Sequence, residues 1–363
     1  MRVAVVHDYV TQRGGAERVV LAMLEAFPGA PLYTSLYDPE RTFPGFRDAD
    51  VRPLPMNRVA PLRRWHRLAF PLLARAFSRL EVPGDVVVCS SSGWAHAART
   101  SGRKIVYCHA PARWLYQPDR YLRGRRGPAS AALALLRPRL LGWDRRAAAS
   151  ADRYLANSTE VSRRIRSLYG FEAEVLPPPP ALEPGPERAV EGLEPGFLLC
   201  VSRLLPYKNV DAVIGAVRSL PDERLVVVGS GPEHRRLAAD APASVRFCQS
   251  VSDEELRWLY RASAAHVSAS YEDFGLTPLE AAAFGRPSAV LRFGGFLDTV
   301  VEGETGVFFD EPTPQAIRTA LVELRGRAWD EDVLRRHADR FSKARFVRRL
   351  RELVETEAAL NPS

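Results

Sequence analysis

Residues 265–291 read AHVSASYEDFGLTPLEAAAFGRPSAVL and contain one complete strand–loop–helix–strand unit. The apolar runs Ala265–Val267 and Ser288–Leu291 are short and continuous, as expected for parallel strands that are covered on both faces. Between them, Thr277 predicts the N-cap of a helix and Gly285 predicts its end. Such a unit is typical of a doubly wound α/β domain, in which ligands bind at the carboxyl ends of the strands.

The same alternation of short apolar runs and helical patterns extends over the whole chain. A chain of 363 residues is longer than one hydrophobic core usually supports, so we expect two α/β domains. The other predicted strands are Val3–Val6, Val86–Cys89, Ile105–Cys108, Tyr154–Ala156, Phe197–Val201, Leu225–Val228 and Val245–Phe247.

A proline-rich segment marks the domain boundary. Four consecutive prolines occupy positions 177–180, and three more follow before residue 196. Proline continues neither a helix nor a central strand, so this segment predicts an exposed, stiff connection. The sequence therefore predicts domains over residues 1–178 and 196–340, a linker over 179–195 and a final helical segment over 341–363.

The composition excludes several classes of protein. With 46% apolar and 26% charged residues, the chain is globular rather than disordered. No apolar run approaches the roughly 18 residues of a membrane span, and no secretory signal precedes the first strand, which predicts a cytoplasmic protein. The four cysteines are far apart and form no CxxC pair, so neither a disulfide framework nor a zinc site is predicted. We predict no metal ligands elsewhere.

The basic charge is concentrated in the first half. Residues 1–178 hold 28 basic and 15 acidic side chains, whereas residues 179–363 hold 23 and 28. Residues 51–80 carry seven arginines and no carboxylate, interleaved with aromatic and leucine side chains. Such a field attracts phosphate groups of nucleic acids, anionic membranes or small molecules. The interleaved pattern fits an anionic membrane surface, and it fits equally well a packed helical pair with solvated arginines.

The strongest candidates for chemistry are two carboxylates, Glu272 and Glu280, on either side of the predicted helix start. The backbone N–H groups near Gly275 form a potential anion site there, which the helix dipole reinforces, and a diphosphate would fit it. Glu272 lies in the loop before this site, where the alternative is a solvated charge. Glu280 has a serious alternative too, because Thr277 and Glu280 together match a capping box.

Further candidates follow predicted strands. Arg203 and Lys208 come after Phe197–Val201 and offer complementary ways to hold phosphate oxygens, although solvation is the usual role of such side chains. A glycine turn at Gly229 is weak evidence by itself. In the first half, the paired glycines Gly14 and Gly15 open a helix, where the alternative is a flexible turn, and His109 ends a strand, where a structural histidine is the alternative.

These segments, in this order, resemble the retaining GT-B glycosyltransferases of family 4, and the first half is most similar to bacterial mannosyltransferase-like members. The resemblance covers nearly the whole chain. It implies an α/β fold of two facing Rossmann-like doubly wound domains with an interdomain cleft, and a C-terminal helix that crosses back to the N-terminal domain. The acceptor would bind the N-terminal domain and the nucleotide sugar the C-terminal domain. The motifs that carry the resemblance are Gly14-Gly15, His109, Arg203 with Lys208, Gly229-Ser-Gly-Pro232 and Glu272-x7-Glu280.

The family resemblance also implies roles for individual residues. Catalytic roles fall to Glu272, His109, Arg203 and Lys208, with Glu272 on the sugar hydroxyls and His109 near the transferred sugar. Glu280 would bind the ribose. The residues that would contact the donor are Gly14, Gly15, Arg203, Lys208, Gly229, Val251, Phe274, Gly275, Leu276 and Glu280. The stretch Phe247–Val251 departs from the common family pattern, which leaves the nucleobase open.

Taken together, the resemblance implies a metal-independent, retaining hexosyltransferase without a tightly bound cofactor. A GDP-sugar donor of the mannose type is favoured over a UDP-sugar, and the acceptor is a hydroxyl of a lipid-linked or small-molecule glycan or natural product. The expected location is cytoplasmic, with peripheral contact to an anionic membrane at its inner face. The alternatives are a sugar-nucleotide epimerase of the same architecture and a non-catalytic nucleotide-sugar scaffold. Nucleic acid is not an expected partner, because no nucleic-acid-binding module appears.

Overall fold

The computed structural model describes residues 1–117 and 128–360, apart from the side chains of Arg67 and of residues 128–133. Residues 361–363 of the predicted final segment lie outside the described residues. The chain divides into two compact units, of which the first holds residues 1–179 and 343–363 and the second residues 180–342. In the part of the chain described, no helix is long and apolar enough to cross a membrane.

The first unit contains a seven-stranded parallel sheet. Its strands are β1 (Val3–His7), β2 (Leu32–Thr34), β3 (Val51–Pro53), β4 (Val86–Ser91), β5 (Arg103–Cys108), β6 (Arg153–Ala156) and β7 (Glu174–Val175). They pair in the order β3-β2-β1-β4-β5-β6-β7. Among the described residues of this unit, the helices are α1 (Gly15–Ala26), α2 (Ala60–Arg64), α3 (Phe70–Arg79), α4 (Arg113–Tyr116), α5 (Pro128–Ala149), α6 (Thr159–Tyr169) and, at the end of the chain, α14 (Lys343–Ala359).

Both faces of this sheet are covered. Ala4 and Val6 of β1 belong to one buried apolar cluster, and Val5 between them belongs to another, because successive strand side chains point to opposite faces. Helix α3 contributes Leu73 and Phe77 to the first cluster, whereas α1 and α14 cover the opposite face.

The last helix is anchored to the first unit by charge as well as by apolar contact. The carboxylate of Glu357 in α14 is almost fully buried and accepts hydrogen bonds from Arg103 Nη2 at 2.7 Å and Arg153 Nε at 2.7 Å. Phe346 and Leu350 of the same helix are buried beneath the sheet. The final helix therefore belongs to the fold of the N-terminal sheet.

The second unit contains a six-stranded parallel sheet. Its strands are β8 (Leu198–Val201), β9 (Leu225–Val228), β10 (Val245–Cys248), β11 (Ala265–Ser268), β12 (Ser288–Leu291) and β13 (Gly306–Phe309). They pair in the order β10-β9-β8-β11-β12-β13. The helices are α7 (Val210–Arg218), α8 (His234–Ala239), α9 (Asp253–Ala262), α10 (Leu276–Ala283), α11 (Phe296–Thr299), α12 (Pro314–Arg325) and α13 (Glu331–Asp339).

The predicted fold class, two parallel sheets of Rossmann-like type, is confirmed, and two local differences from the sequence analysis have physical causes. The strands that the sequence analysis missed, β2, β3, β7 and β13, have two to four residues each and lie at or near the sheet edges. Residues 180–195 are mostly exposed, as predicted for the connection, but they are also bound to the second unit. Leu182 is buried there, and Arg257 Nε donates to the carbonyl oxygen of Glu183 at 2.8 Å.

Candidate functional site

A charged pair lies at the centre of the carboxyl edge of the second sheet. Lys208 ends a short turn after β8, and Glu272 follows β11. These strands are neighbours at the point where the strand order reverses, which is where doubly wound sheets bind ligands. The Lys208 Nζ forms an ion pair with Glu272 Oε1, and Ser270 Oγ donates to the same oxygen at 3.1 Å. Only 9% of Lys208 is exposed, so little water surrounds this ammonium group.

Asn209 holds the Lys208 turn in place. Its backbone is left-handed, with φ of 50° and ψ of 36°, a conformation that asparagine tolerates better than most residues. Its Nδ2 donates to the carbonyl oxygen of Ala269 at 2.8 Å, which ties the turn after β8 to the loop after β11. Sequence reasoning missed Asn209 and Ser270. The available signal was a polar residue one or two positions from each charged one.

Helix α10 begins earlier than the sequence predicted. Its N-cap is Gly275, with φ of 87°, and no side chain caps the first turn. The predicted N-cap at Thr277 is therefore wrong, because the left-handed glycine turns the chain into the helix two residues sooner. The first backbone N–H groups of a helix have no acceptor within it, so Leu276 and Thr277 present amides at this edge of the sheet.

Glu280 is not part of a capping box. Its side chain is 5% exposed and accepts from Tyr260 Oη at 2.6 Å and from the backbone N–H of Ala181 at 3.2 Å. The carboxylate therefore reaches away from its own helix. Burial, together with the Glu280 charge, raises the pKa of Tyr260 well above its usual value, so the phenol stays a hydrogen-bond donor. Tyr260 lies 20 residues before Glu280, and nothing in the sequence spacing indicates this contact.

Arg203 stands apart from the buried pair. Its side chain is exposed, and no side chain within residues 1–117 or 128–360 forms an ion pair with it. Nearby, Gly229 has φ of 136°, and a Cβ there would lie 2.0 Å from the carbonyl oxygen of Ser202. The close approach of two loops thus accounts for this glycine without a ligand.

The remaining donor candidates in the second unit are largely packing residues. Val251 is half-buried against the apolar cluster of Phe197 and Tyr260. Phe274 is buried, with its ring 6.2 Å from that of Phe341. Their side chains lie in apolar surroundings, so any donor contact from these positions would involve the backbone.

In the first unit, His109 follows β5 and is half-buried. Its Nε2 lies 2.8 Å from the hydroxyl oxygen of Ser90, and its ring meets those of Tyr107 and His7 edge-on at 5.1 and 6.3 Å. Burial, and secondarily the nearby His7, lowers the pKa of His109 to about 3. The imidazole is therefore neutral at physiological pH.

Two other features of the first unit lie near strand ends. Gly14 is the N-cap of α1 and Gly15 its first residue, and the buried Glu17 lies in the same first turn. Asp8, next to β1, is buried and accepts from the backbone N–H groups of Ser92 and Ala95 at 2.7 and 2.6 Å. Burial raises the pKa of Asp8 although these hydrogen bonds oppose the shift. The carboxylate thereby fixes the loop after β4.

Among the residues that the structure describes, no group of three or more His, Cys, Asp or Glu side chains could hold a metal ion. The charged groups that the sequence analysis places at the second sheet are Arg203, Lys208, Glu272 and Glu280.

The fold and these sites define a class of protein. A family model for glycosyltransferase family 4 matches residues 13–182, and a model for glycosyl transferases group 1 matches residues 186–325. Together the two models cover both units. The chain belongs to the family 4-like GT-B glycosyltransferases.

Two curated relatives illustrate the similarity. The D-inositol 3-phosphate glycosyltransferase 2 of Catenulispora acidiphila is 35% identical over 219 residues, which cover 51% of this chain and 50% of the relative. The GDP-mannose-dependent alpha-(1-6)-phosphatidylinositol monomannoside mannosyltransferase of Mycolicibacterium smegmatis is 29% identical over 238 residues, covering 55% and 62%. The chain spans about half the length of the curated relatives that it matches.

Solved structures share the fold over nearly the whole chain. The sucrose-phosphate synthase from Thermosynechococcus elongatus aligns with a TM-score of 0.73 at 18% identity, covering 99% of this chain and 100% of that one. Anabaena HepE in complex with UDP-glucose aligns with a TM-score of 0.68 at 16% identity, covering 98% and 100%. At these identities the likeness establishes the fold alone.

Proposed function

We propose that this protein is a metal-independent, retaining hexosyltransferase that binds a nucleotide diphosphate sugar at the carboxyl edge of its second sheet. The observation that carries the proposal is the buried pair of Lys208 and Glu272 at the strand-order reversal, beside the N-terminus of α10. A cation and a carboxylate are needed together when one ligand presents both phosphates and sugar hydroxyls. The family membership supports the same assignment.

The diphosphate is the leaving group, and its charge grows as the sugar departs. Lys208 supplies a fixed positive charge, and exposed Arg203 supplies a planar fork that can close on phosphate oxygens. The backbone N–H groups at Gly275 and Leu276 add the potential of the α10 N-terminus. These pre-placed groups stabilise the developing charge, as a metal ion does in other transferases.

The two carboxylates divide the rest of the donor between them. Glu272 binds hydroxyls of the transferred sugar, and its bond to Ser270 keeps the carboxylate oriented. Glu280 binds the ribose hydroxyls. It already accepts from Tyr260 and Ala181, and a carboxylate has lone pairs for further donors. No described contact marks either one as a covalent nucleophile, so we propose front-face transfer with retention, in which the leaving phosphate accepts the proton of the acceptor hydroxyl.

The donor is proposed to carry a mannose-type hexose on GDP. The name of the Mycolicibacterium smegmatis relative specifies GDP-mannose, which supports this choice. Anabaena HepE was solved with UDP-glucose, which makes UDP the alternative base. The acceptor is a hydroxyl of a lipid-linked or small-molecule glycan, as in the inositol-containing acceptors that the relatives' names indicate.

Replacing Arg203 with alanine tests the donor site directly. Wild-type protein is expected to be stabilised by one nucleoside diphosphate among GDP, UDP, ADP, dTDP and CDP, by about 2.7 kcal/mol at 100 times its Kd. Arg203→Ala should lose most of this response while keeping the melting temperature of the free protein, because Arg203 forms no ion pair with the described side chains. Thermal-shift titrations measure both quantities.

Arg235→Ala is the matched control, since Arg235 is an exposed arginine of the same unit. If no nucleotide stabilises the wild type, or if both variants respond like wild type, the donor site is wrongly assigned. Incubation of the donor sugar alone, followed by NMR, then separates transfer from epimerisation. An epimerase would interconvert the sugar without any acceptor, and a non-catalytic scaffold would bind the donor but never turn it over.

We also propose that the first unit docks peripherally on the anionic inner face of a membrane through α2, α3 and the turn between them. Trp65, Leu68 and Leu72 are 56%, 56% and 50% exposed, and Arg75 and Arg79 are exposed nearby. Leu73 and Phe77 of the same region are buried in the core. One face of α3 therefore packs into the core, as the packed-helix alternative predicts. The other face is exposed and belongs to the proposed docking surface. Exposed leucine and tryptophan beside arginine suit an anionic lipid surface.

The triple variant Trp65→Ser, Leu68→Ser, Leu72→Ser is expected to weaken vesicle binding more than tenfold, because each apolar side chain contributes on the order of 1 kcal/mol or more when buried in lipid. Co-sedimentation with phosphatidylglycerol-containing vesicles measures the effect. The control is Leu297→Ser, Val322→Ser, which changes exposed apolar residues of the second unit. Wild-type binding that is absent, or that ignores the phosphatidylglycerol content, would contradict the docking proposal.

A further inference from the structure

Two buried side chains on neighbouring strands, His7 and Ser90, form a row of polar contacts with His109. His7 of β1 and Ser90 of β4 are paired in register, and β5 leads into His109 on the other side of β4. Ser90 Oγ lies 3.0 Å from His7 Nδ1 and 2.8 Å from His109 Nε2. His7 and Ser90 are almost fully buried, whereas His109 is half-buried. One hydroxyl thus connects two imidazoles.

The positions of the protons in this row follow from one carbonyl. His7 Nδ1 also lies 3.1 Å from the backbone carbonyl oxygen of Ser90, which can only accept a hydrogen bond. His7 Nδ1 therefore carries a proton, which points towards Ser90. Since that proton already occupies the space between His7 and the Ser90 hydroxyl, the hydroxyl proton is directed to His109. His109 Nε2 is then the acceptor, and the proton of the neutral His109 ring resides on Nδ1.

The electrostatic surroundings support the neutral form. Burial lowers the pKa of His7, although the Asp8 charge and the Ser90 carbonyl oppose the shift. Burial also lowers the pKa of His109, and the nearby His7 lowers it further. Within residues 1–117 and 128–360, no residue hydrogen-bonds to His109 Nδ1. Its N–H is therefore available to a ligand.

We infer that Ser90 and His7 are positioning residues that hold His109 as a neutral imidazole with its proton on Nδ1. The inference rests on the proposed function and on the role that the family resemblance implies for His109, a place near the transferred sugar. His109 then acts as a neutral N–H donor to a sugar oxygen, and neither gives up nor takes a proton during transfer. A histidine that served as a general acid would need the opposite arrangement, a charged ring able to lose a proton.

The test is the tautomer itself, measured by long-range ¹H–¹⁵N correlation NMR on protein labelled at histidine. Wild-type His109 should show the proton on Nδ1 at neutral pH, with assignment from the His109→Gln spectrum. Ser90→Ala should move His109 towards the Nε2-protonated tautomer and lower kcat about tenfold, the effect of one lost hydrogen bond. Ser90→Thr keeps a hydroxyl and should restore both the tautomer and kcat.

His234 is the internal control, because it lies in the other unit and its signals should be the same in every variant. A wild-type His109 with its proton on Nε2 overturns the inference, even if Ser90→Ala fails to fold. An unchanged His109 tautomer in folded Ser90→Ala overturns it too. Failure of the proposed function is seen separately, as the absence of any nucleotide response in thermal-shift titrations, which do not depend on this row.

Discussion

Replacing Lys208 with methionine is expected to lower kcat/KM for glycosyl transfer by about 10²- to 10³-fold, the usual cost of removing one pre-placed group that stabilises developing charge. Methionine keeps the straight, flexible stem and removes only the ammonium group. Because Lys208 is almost fully buried, its charge acts on the diphosphate with little screening by water. Steady-state kinetics with the nucleotide sugar identified by thermal shift measure the loss.

A second explanation for such a loss is that Lys208 only neutralises Glu272. The double variant Lys208→Met, Glu272→Gln separates the two roles, because it removes both charges of the pair. If Lys208 binds phosphate, the double variant should remain as weak as Lys208→Met for a nucleoside diphosphate, which has no sugar for Glu272 to hold. Glu272→Gln alone should bind that nucleotide almost normally. Recovery of nucleotide affinity in the double variant would show that Lys208 serves Glu272 alone.

The sequence predicts the parts of the site that lie at strand ends. Continuous apolar runs such as Leu225–Val228 identify buried parallel strands, and the polar residues that follow them are then placed at one edge of the sheet. Lys208 and Glu272 meet there because β8 and β11 are neighbours in the sheet. A doubly wound strand order favours this neighbourhood, but no single residue encodes it. The pairing of the two charges is a product of topology.

Contacts between distant segments were beyond sequence reasoning. The local spacing of Thr277 and Glu280 favours a capping box, but Tyr260 and Ala181 compete for the same carboxylate and are only adjacent in the folded chain. In α3, Leu73 and Phe77 share one face at helical spacing, and Leu72 lies off that face. The structure buries Leu73 against the first sheet and leaves Leu72 exposed.

Replacing Gly295 with alanine is expected to displace the loop that carries Glu272. The backbone of Gly295 is right-handed helical, with φ of −71° and ψ of −11°, so alanine is acceptable by conformation. Space is the constraint, because a Cβ at this position would lie 2.1 Å from Phe274 Cα and 2.3 Å from the Phe274 carbonyl oxygen. These are backbone atoms, which cannot rotate away as a side chain can. The Gly295 N–H also donates to the carbonyl oxygen of Glu272 at 3.2 Å, so the clash acts on the loop that carries Glu272.

We expect Gly295→Ala to lower the free energy of unfolding by about 1–3 kcal/mol, as overpacking does, and kcat/KM by about 10²-fold, since a displacement of about 1 Å suffices for that loss. Gly326→Ala is a closely matched control. Gly326 has φ of −77° and ψ of −6°, and a Cβ there would meet nothing nearer than 3.4 Å. Thermal unfolding and kinetics on both variants decide the matter. If Gly295→Ala behaved like Gly326→Ala in both measurements, Gly295 and Phe274 would not be in the tight contact that holds Glu272 beside Lys208. The glycine at position 295 would then have to be explained by the ligand instead.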